Sequence, residues 1–309
     1  MPFFETPKLQ DIVLVREFHN KLTDRISSKP WKNAALLKLH GFLEKHYLGI
    51  NPGITVREYS FKSHLHVPHY TSNDTGYFRH YDSVSDRIVI VVPQRGGGYN
   101  PARLVAAYLS SNGFDVYEIV TPFHEKRLPK GITSVAQLPV DVQTIKLTFM
   151  QAVEEILGLI ELIAQEKVGI VGISQGTSYS IDAGIDSRIK SSVYVHGFGH
   201  LADLLLYSDD RFARHFRKEE IKRRGAIDEQ LLWEEFRNIE PVNYARMHTS
   251  ASLMINAKGD KSIPQANIRA LWEALGKPEL HMFRGGHLGV AIRTKRILEI
   301  ILEHFEKTL

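Results

Sequence analysis

The sequence contains no cysteine among its 309 residues. Without cysteine, the protein has neither a disulfide framework nor a thiol nucleophile. Because disulfides belong mainly to oxidising compartments, the absence fits a reducing one, and we expect a cytoplasmic protein. Any side-chain nucleophile of the classes considered below must then be an alcohol.

Long apolar runs and a strong excess of one charge are also missing. No stretch approaches eighteen apolar residues, and the first residues do not combine a basic leader with an apolar run, so we expect neither a membrane span nor a signal peptide. The formal net charge is only +4, and Lys and Arg cluster only around Arg211 to Arg224, so a nucleic-acid partner has little support. With 43% hydrophobic and 24% charged residues, the composition is that of an ordinary globular protein.

The most informative stretch is Glu166 to Thr177, with the sequence EKVGIVGISQGT. Val168 to Ile173 is a short, β-branched apolar run typical of a buried strand, and it leads into the pattern G-x-S-x-G around Ser174. Glycine two residues before and after the serine removes side chains that would collide in a sharp strand-to-helix turn. The pattern therefore predicts that Ser174 is a nucleophile, with the amide of Gln175 pointing to where an oxyanion forms.

An acid and a histidine follow Ser174 in the order that such a serine requires. The apolar run Ser252 to Ala257 predicts a strand, and Asp260 comes just after its end. The run Leu280 to Phe283 predicts another strand, followed by a glycine-flanked histidine, His287. The order Ser174, Asp260, His287 predicts a catalytic triad at the carboxyl ends of parallel strands.

On these motifs, together with a glycine-rich loop upstream, the chain from about Ile88 to the C-terminus resembles the α/β-hydrolase superfamily. The resemblance implies a mostly parallel central sheet flanked by helices, with a small helical cap. Many members carry His-Gly-x-Gly after an early strand, and the amide of the x residue forms half of the oxyanion hole. Here Pro93-Gln94-Arg95-Gly96 occupies that place, so the resemblance assigns this amide to Arg95, with a one-residue shift to Gln94 as the alternative.

The remaining chain divides into an extension, a body and a cap. Apolar residues at helical spacing between Lys8 and about Ile50 predict an N-terminal helical extension, residues 1–52, that packs on the sheet edge or mediates a homodimer. Residues 53–309 form the α/β-hydrolase domain, and its cap is expected at about 199–245. The loop from Thr121 to Val140 is expected over the active-site edge, where His124, Glu125 and Arg127 either contact substrate or are merely solvated.

Other histidines need an interpretation as well. His64, His66 and His69 are closely spaced, but neither a carboxylate nor a cysteine accompanies them in the sequence, so we interpret them as surface or packed residues and expect no metal. His196 and His200 follow a predicted strand near Ser174 and are second candidates for the catalytic base. His287 is preferred because it follows the acid and lies between glycines.

These residues predict a serine hydrolase that cleaves a small-molecule carboxylic ester through an acyl-enzyme and requires no cofactor. Peptidase, thioesterase and acyltransferase activities use the same residues and stay open. A member of the fold that binds a ligand without catalysis is the alternative from another class.

Overall fold

The computed structural model describes residues 4, 6–21, 34–96, 101–132, 137–286 and 293–309. The strands are β1 (Gln10–His19), β2 (Thr55–Lys62), β3 (Thr75–Asp82), β4 (Ile88–Val92), β5 (Asp115–Val120), β6 (Val168–Ile173), β7 (Ile189–Val195), β8 (Ala251–Ala257) and β9 (Glu279–Phe283). The α-helices are α1 (Ala34–Tyr47), α2 (Pro101–Ser111), α3 (Val142–Ile163), α4 (Gln175–Ala183), α5 (Leu201–Tyr207), α6 (Arg211–Arg224), α7 (Glu229–Phe236), α8 (Pro241–Ala245), α9 (Gln265–Ala274) and α10 (Thr294–Thr308). The three strands predicted at residues 168–173, 252–257 and 280–283 are present as β6, β8 and β9, with ends displaced by at most one residue.

The nine strands form one sheet in the order β1-β2-β3-β5-β4-β6-β7-β8-β9. The pairs β1-β2, β2-β3 and β3-β5 are antiparallel, and all the other neighbours are parallel. Helical connections therefore return the chain to the same edge, and the carboxyl ends of β4, β6, β7 and β8 lie side by side. This is the edge where open α/β sheets bind their ligands. The predicted mostly parallel sheet flanked by helices is confirmed.

Both faces of the sheet are covered, which explains why its central strands are apolar without interruption. In β4 the side chains alternate between the faces: Ile90 packs in the cluster that includes α3 and α4, and Val91 packs in the cluster that includes α2 and α10. Both side chains are fully buried. The two layers of helices hold the sheet rigidly and fix the positions of the loops at its carboxyl edge.

The structure corrects the N-terminal prediction in part. The later part of the predicted helical extension contains the helix α1. Its earlier part, which was also expected to be helical, is instead the edge strand β1 and pairs with β2. Its apolar residues at positions 12 to 15 fit helical spacing, yet they are exposed and do not pack as a helix face would; Val13 is 57% exposed. Backbone pairing with β2 and the β-branched side chains favour the strand instead.

Four helices, α5 to α8, lie between β7 and β8, where the helical insertion was predicted. Asp210 caps the N-terminus of α6 by accepting hydrogen bonds from the amides of Phe212 and Ala213, and Asp228 caps α7 by accepting one from the amide of Leu231. None of the described helices has the length and apolar character needed to cross a bilayer.

Candidate active site

Ser174 lies at the sharp turn between β6 and α4. Its backbone has φ 51° and ψ −116°, a conformation that is strained for a residue with a side chain. Its amide donates to the carbonyl of Val195 in the neighbouring strand, and its carbonyl accepts from the amide of Thr177. These bonds hold the turn so that Ser174 stands at the carboxyl edge of the sheet, directly before the N-terminus of a helix.

The two flanking glycines are required by close backbone contacts. A Cβ atom at Gly172 would lie 2.6 Å from the Cα of Thr177, and one at Gly176 would lie 2.3 Å from the carbonyl oxygen of Val92. Both distances are far below van der Waals contact, so only glycine fits at either position. The contact of Gly176 with Val92 also brings the end of β4 against the first turn of α4.

Asp260 follows β8 and is buried, with no exposed side-chain surface. Its Oδ1 accepts hydrogen bonds from the amides of Ser262 and Ile263, at 2.8 and 3.2 Å. These bonds stabilise the ionised carboxyl and fix its orientation. The second oxygen, Oδ2, is directed away from these two amides and lies close to an imidazole.

That imidazole belongs to His196, the residue directly after β7. Its Nδ1 lies 3.3 Å from Oδ2 of Asp260, and its backbone is held in the left-handed region with φ 57°. His200, the other second candidate for the base, lies elsewhere: its Nδ1 is 3.7 Å from Oε2 of Glu240, and its ring packs edge-on against Trp233. The structure therefore brings His196, but not His200, to the predicted acid.

His287, the preferred base, lies outside the described residues, which end at residue 286 before resuming at residue 293. The chain that leads to it is described. The amide of Gly259 donates to the carbonyl of Gly285 at 2.9 Å, and a Cβ atom at Gly286 would lie 3.3 Å from the carbonyl oxygen of Gly259. The residue before His287 is thus in contact with the residue before Asp260.

The segment after β4, residues 93–96, carries the two predicted candidates for the oxyanion donor and is called the oxyanion loop below for that reason. Its first residue passes close to α4, because a Cβ atom at Gly176 would lie 2.5 Å from the carbonyl oxygen of Pro93. The amide of Gly96 donates to Nε2 of His124 at 2.9 Å and is therefore occupied. The amides of Gln94 and Arg95 have no acceptor among the described residues. Among the residues that the structure describes neither amide is occupied, so Arg95 and Gln94 both stay candidates for the donor.

The side chain of Arg95 contacts the insertion between β7 and β8. Its Nη2 donates to Oδ2 of Asp210 at 3.0 Å, and its guanidinium lies 4.0 Å from the ring centroid of Phe212. An ion pair and a cation–π contact therefore connect the oxyanion loop to the start of α6.

Three comparisons bear on this arrangement. No protein-family model matches the sequence, and no curated protein sequence matches it with significance. Solved structures do match. An acylaminoacyl peptidase from Pyrococcus horikoshii has a TM-score of 0.59 at 18% identity; the match covers 82% of this chain and 41% of that one. An acetyl xylan esterase from Paenibacillus sp. R4 has a TM-score of 0.58 at 17% identity; the match covers 83% of this chain and 84% of the esterase. A cold-adapted esterase from an Arctic intertidal metagenomic library has a TM-score of 0.54 at 15% identity; the match covers 81% of this chain and 94% of that esterase.

The chain has the α/β-hydrolase fold. The expectation from the sequence is confirmed at this level, since the strand order and these structural matches agree. The chain spans about two fifths of the length of the acylaminoacyl peptidase that it matches. At identities below one fifth, the matches establish the architecture alone.

In this α/β-hydrolase fold, the loop after β5 does not present free charges to a substrate. His124 bonds to Gly96 as described above, and Glu125 pairs with Arg79 and Arg103, both at 2.5 Å. Arg127 is fully buried and forms a bidentate pair with Glu155, at 2.6 and 2.8 Å. For Arg127 the suggestion of a solvated or substrate-contacting side chain is wrong, because this side chain is fully buried. His124 and Glu125 are partly exposed and have partners within the protein, and their contact with substrate stays a prediction.

The helix that follows Ser174, α4, carries a buried carboxyl group that is not one of the predicted site residues. Asp182 in α4 is fully buried, and neither of its oxygens has a hydrogen-bond partner among the described residues. Burial raises the pKa of this carboxyl well above its ordinary value of 3.8, and the nearby Glu240 acts in the same direction. Folding therefore favours the protonated form of Asp182.

We predict that Asp182→Asn stabilises the protein increasingly as the pH rises. Above about pH 4 the carboxyl ionises in the unfolded chain but stays protonated in the folded one, so the parent loses up to about 1.4 kcal/mol of stability per pH unit until the folded carboxyl also ionises. Asparagine removes this loss because it does not titrate. Urea unfolding of both proteins at pH 5, 6, 7 and 8 measures the difference. A difference that does not change with pH would mean that Asp182 is ionised in the folded state.

The closely spaced histidines 64, 66 and 69 are all exposed, and Nδ1 of His66 lies 2.6 Å from Oδ1 of Asp74. A different group brings potential metal ligands together: one ligand atom each of His80, Asp82 and Asp115 lie within 4.8 Å of one another. Here His80 already contacts both oxygens of Asp115, at 2.8 and 2.9 Å, and Arg57 donates to Asp82 at 2.6 Å. Arg57 thus forms an ion pair with Asp82, and His80 contacts Asp115. The group lies at the amino end of β5, away from Ser174.

Proposed function

We propose that this protein is a serine hydrolase whose substrate is a carboxylic ester. The observation that carries the proposal is the turn at Ser174: a strained serine between two glycines that no other residue can replace, at the N-terminus of a helix and at the carboxyl edge of a parallel sheet. Strain of about 1–3 kcal/mol at one residue persists only where its surroundings impose it, and such residues concentrate at functional sites.

In the proposed reaction, the imidazole of His287 takes the proton of the Ser174 hydroxyl while Oγ attacks the carbonyl carbon of the ester. Asp260 orients the imidazole and stabilises its positive charge. The amides of Gln175 and Arg95, or Gln94, hold the negative oxygen of the tetrahedral intermediate. The intermediate collapses to an acyl-serine, and the leaving alcohol takes the proton from the imidazolium. Water then attacks the acyl-serine with the same histidine as base, which releases the acid and restores Ser174.

Three features support this assignment. The carboxylate of Asp260 is buried and held by two amides, and the residues before Asp260 and His287 touch. The oxyanion loop passes against the first turn of α4, and two of its amides have no acceptor among the described residues. Peptidase, thioesterase and acyltransferase reactions need the same groups. A peptidase has a specific observation in its favour, because one of the matched structures is an acylaminoacyl peptidase.

Labelling with a fluorophosphonate tests the mechanism before the substrate. An activated serine displaces fluoride from the reagent and becomes phosphonylated, whatever acyl group the enzyme prefers. We expect the protein to be labelled and the adduct to map by mass spectrometry to the peptide that contains Ser174. Ser174→Ala should abolish labelling, whereas Ser187→Ala, which removes an exposed serine, should leave it unchanged. Labelling that persists in a folded Ser174→Ala variant would identify another nucleophile. Rates on p-nitrophenyl acetate, a matched thioester and an acyl p-nitroanilide then rank the activities.

A prediction concerns Arg95, for which the proposed contribution is the backbone amide. Arg95→Ala keeps that amide, so we expect turnover of a small neutral ester within about tenfold of the parent, since loss of an oxyanion donor costs about a hundredfold or more. Because the guanidinium is engaged by Asp210 and Phe212, esters with and without a carboxylate should lose the same factor. A larger loss for the acidic ester would show that the guanidinium contacts substrate. A collapse of both with intact folding would place the side chain in the oxyanion hole.

The possible homodimer and the cytoplasmic location also stay predictions. The first has support in the apolar side chains exposed on β1 and α1, among them Val13, Leu14, Leu39 and Phe42. Light scattering coupled to gel filtration tests it directly, because a homodimer doubles the measured mass.

A further inference from the structure

The loop after β5 reaches the oxyanion loop through the partly buried imidazole of His124. The amide of Gly96 donates to Nε2 of His124 at 2.9 Å, while Nδ1 lies 2.8 Å from the carbonyl oxygen of Pro122 and 3.0 Å from the hydroxyl of Thr121. A carbonyl oxygen can only accept, so Nδ1 carries the proton and Nε2 presents a lone pair to Gly96. The contacts on both ring nitrogens thus select the neutral tautomer that can bind this amide.

The electrostatic surroundings favour the same neutral form. Burial lowers the pKa of His124 below its usual 6.5, against the opposing effects of the Pro122 carbonyl and Glu125. The positive charges of Arg95 and Arg127 lower it further. A protonated ring would direct an N–H at the N–H of Gly96, and the hydrogen bond would be lost.

His124 is held in place by strong contacts on either side. The residues flanking it, Phe123 and Glu125, both have left-handed backbone conformations, with φ 61° and 51°. Strain of this kind persists only where other contacts impose it. Burial alone would raise the pKa of Glu125, but the guanidinium groups of Arg79 and Arg103 outweigh it and lower the pKa to about 2. Glu125 is therefore a permanent anion, fixed to β3 and to the first turn of α2.

Three residues after His124, Arg127 provides the second anchor of the loop. It is fully buried, pairs with Glu155 of α3, and donates to the carbonyls of Val120 and Asn73. The loop is thus tied to β3, α2 and α3, and His124 projects from it to Gly96. The polar residues that follow β5 therefore have a structural task in anchoring this loop.

The bond to Gly96 fixes the peptide that directly follows the proposed oxyanion donors. Gly96 has φ 71°, so the chain turns sharply at this residue. Holding its N–H orients the peptide plane between Arg95 and Gly96, and with it the direction in which the preceding amides point. A donor that is aimed before the reaction stabilises a developing oxyanion without reorganisation, and small misplacements of such groups are costly.

We propose that His124 is a positioning residue that holds the oxyanion loop in its active conformation. The proposal rests on the proposed function, because it assigns His124 a task in the same site. His124 touches neither Ser174 nor the reacting atoms in this assignment, and it acts through the backbone of Gly96.

Kinetics of two His124 variants test the proposal. His124→Leu removes the acceptor, and we expect kcat for a p-nitrophenyl ester to fall about tenfold to a hundredfold with KM changed less than about threefold. The affinity for a trifluoromethyl ketone, which forms a tetrahedral adduct with the serine, should fall by the same factor as kcat/KM. His124→Gln can offer an amide oxygen in place of Nε2 and should recover most of the loss. His304→Leu is the matched control: it removes a partly buried histidine that contacts the carbonyl of Ala251, far from the site, and kcat should stay unchanged.

Hydrogen exchange gives a readout that does not require turnover. The Gly96 amide should exchange at least about tenfold faster in His124→Leu than in the parent, and His304→Leu should not alter it. A folded His124→Leu variant with unchanged kcat and unchanged exchange overturns the proposal, as does a rise in KM at constant kcat, which would indicate substrate contact. If His124→Leu does not fold, Thr121→Val takes its place, because it removes one contact of Nδ1 and should lower kcat about twofold to fivefold. An unchanged kcat in Thr121→Val, together with a loss of kcat of more than about tenfold in folded His124→Gln, also overturns the proposal. Labelling of Ser174 in the parent separates the two failures, because a parent that is labelled and turns over ester retains the proposed function whatever His124 does.

Discussion

Replacing His287 with alanine is expected to lower kcat for a short p-nitrophenyl ester by at least about a thousandfold, with little change in thermal stability. Without an imidazole base, the serine hydroxyl keeps its proton and is a poor nucleophile, and the leaving alcohol lacks a proton donor. In the parent, kcat/KM should rise with pH through an apparent pKa of about 6 to 8, because only the neutral imidazole accepts a proton. That rise should be missing from the residual activity of His287→Ala.

The matched controls are His196→Ala and His200→Ala. His196 lies 3.3 Å from Asp260, so its removal should perturb the acid and lower kcat moderately, by about tenfold or less. His200 contacts Glu240 instead, and we expect its removal to leave kcat nearly unchanged. A thousandfold loss in His196→Ala together with a small loss in His287→Ala would reverse the assignment and make His196 the base.

The second large effect is expected for Asp260→Asn, which should lower kcat by about a thousandfold to ten-thousandfold. The asparagine oxygen can still accept from the amides of Ser262 and Ile263, so the loop after β8 is preserved. The negative charge and the acceptor at Oδ2 are lost, and the catalytic imidazole is then free to adopt the wrong tautomer. Steady-state kinetics with a thermal melt by circular dichroism separate this effect from unfolding.

Asp228→Asn provides the control for the same chemical change. Asp228 accepts the Leu231 amide at the start of α7, and asparagine serves equally well at such a helix start. Both activity and stability should therefore stay close to those of the parent. If Asp260→Asn retains more than about a tenth of the parent kcat, the acid of the triad lies elsewhere.

The sequence predicts those parts of the site that depend on local sterics and on the order of residues along the chain. The turn at Ser174 is of this kind, since the strand, the two glycines and the following helix lie within one short segment. The position of Asp260 after β8 follows from one apolar run and its end. Such features need no knowledge of the partners that pack against them.

Reasoning from local sequence does not predict contacts between segments that are distant along the chain. The approach of His196 to Asp260 depends on the parallel pairing of β7 with β8, and the bond between His124 and Gly96 joins residues 28 positions apart. The error at β1 has a related cause. Its apolar residues satisfy helical spacing, but the segment pairs with β2, which lies about forty positions further along the chain. Because of this pairing the segment is a strand.

The contacts of Gly172 and Gly176 also limit how this site can be changed by directed evolution. Because a single added carbon at either position would overlap backbone atoms, libraries that randomise the turn will consist mostly of unfolded members. The pair formed by Arg95 and Asp210 has no such restriction, since its charged atoms meet between two separate loops and are about one quarter exposed. Diversity introduced at that pair changes the contact between residue 95 and the start of α6 while the turn that presents the serine keeps its shape.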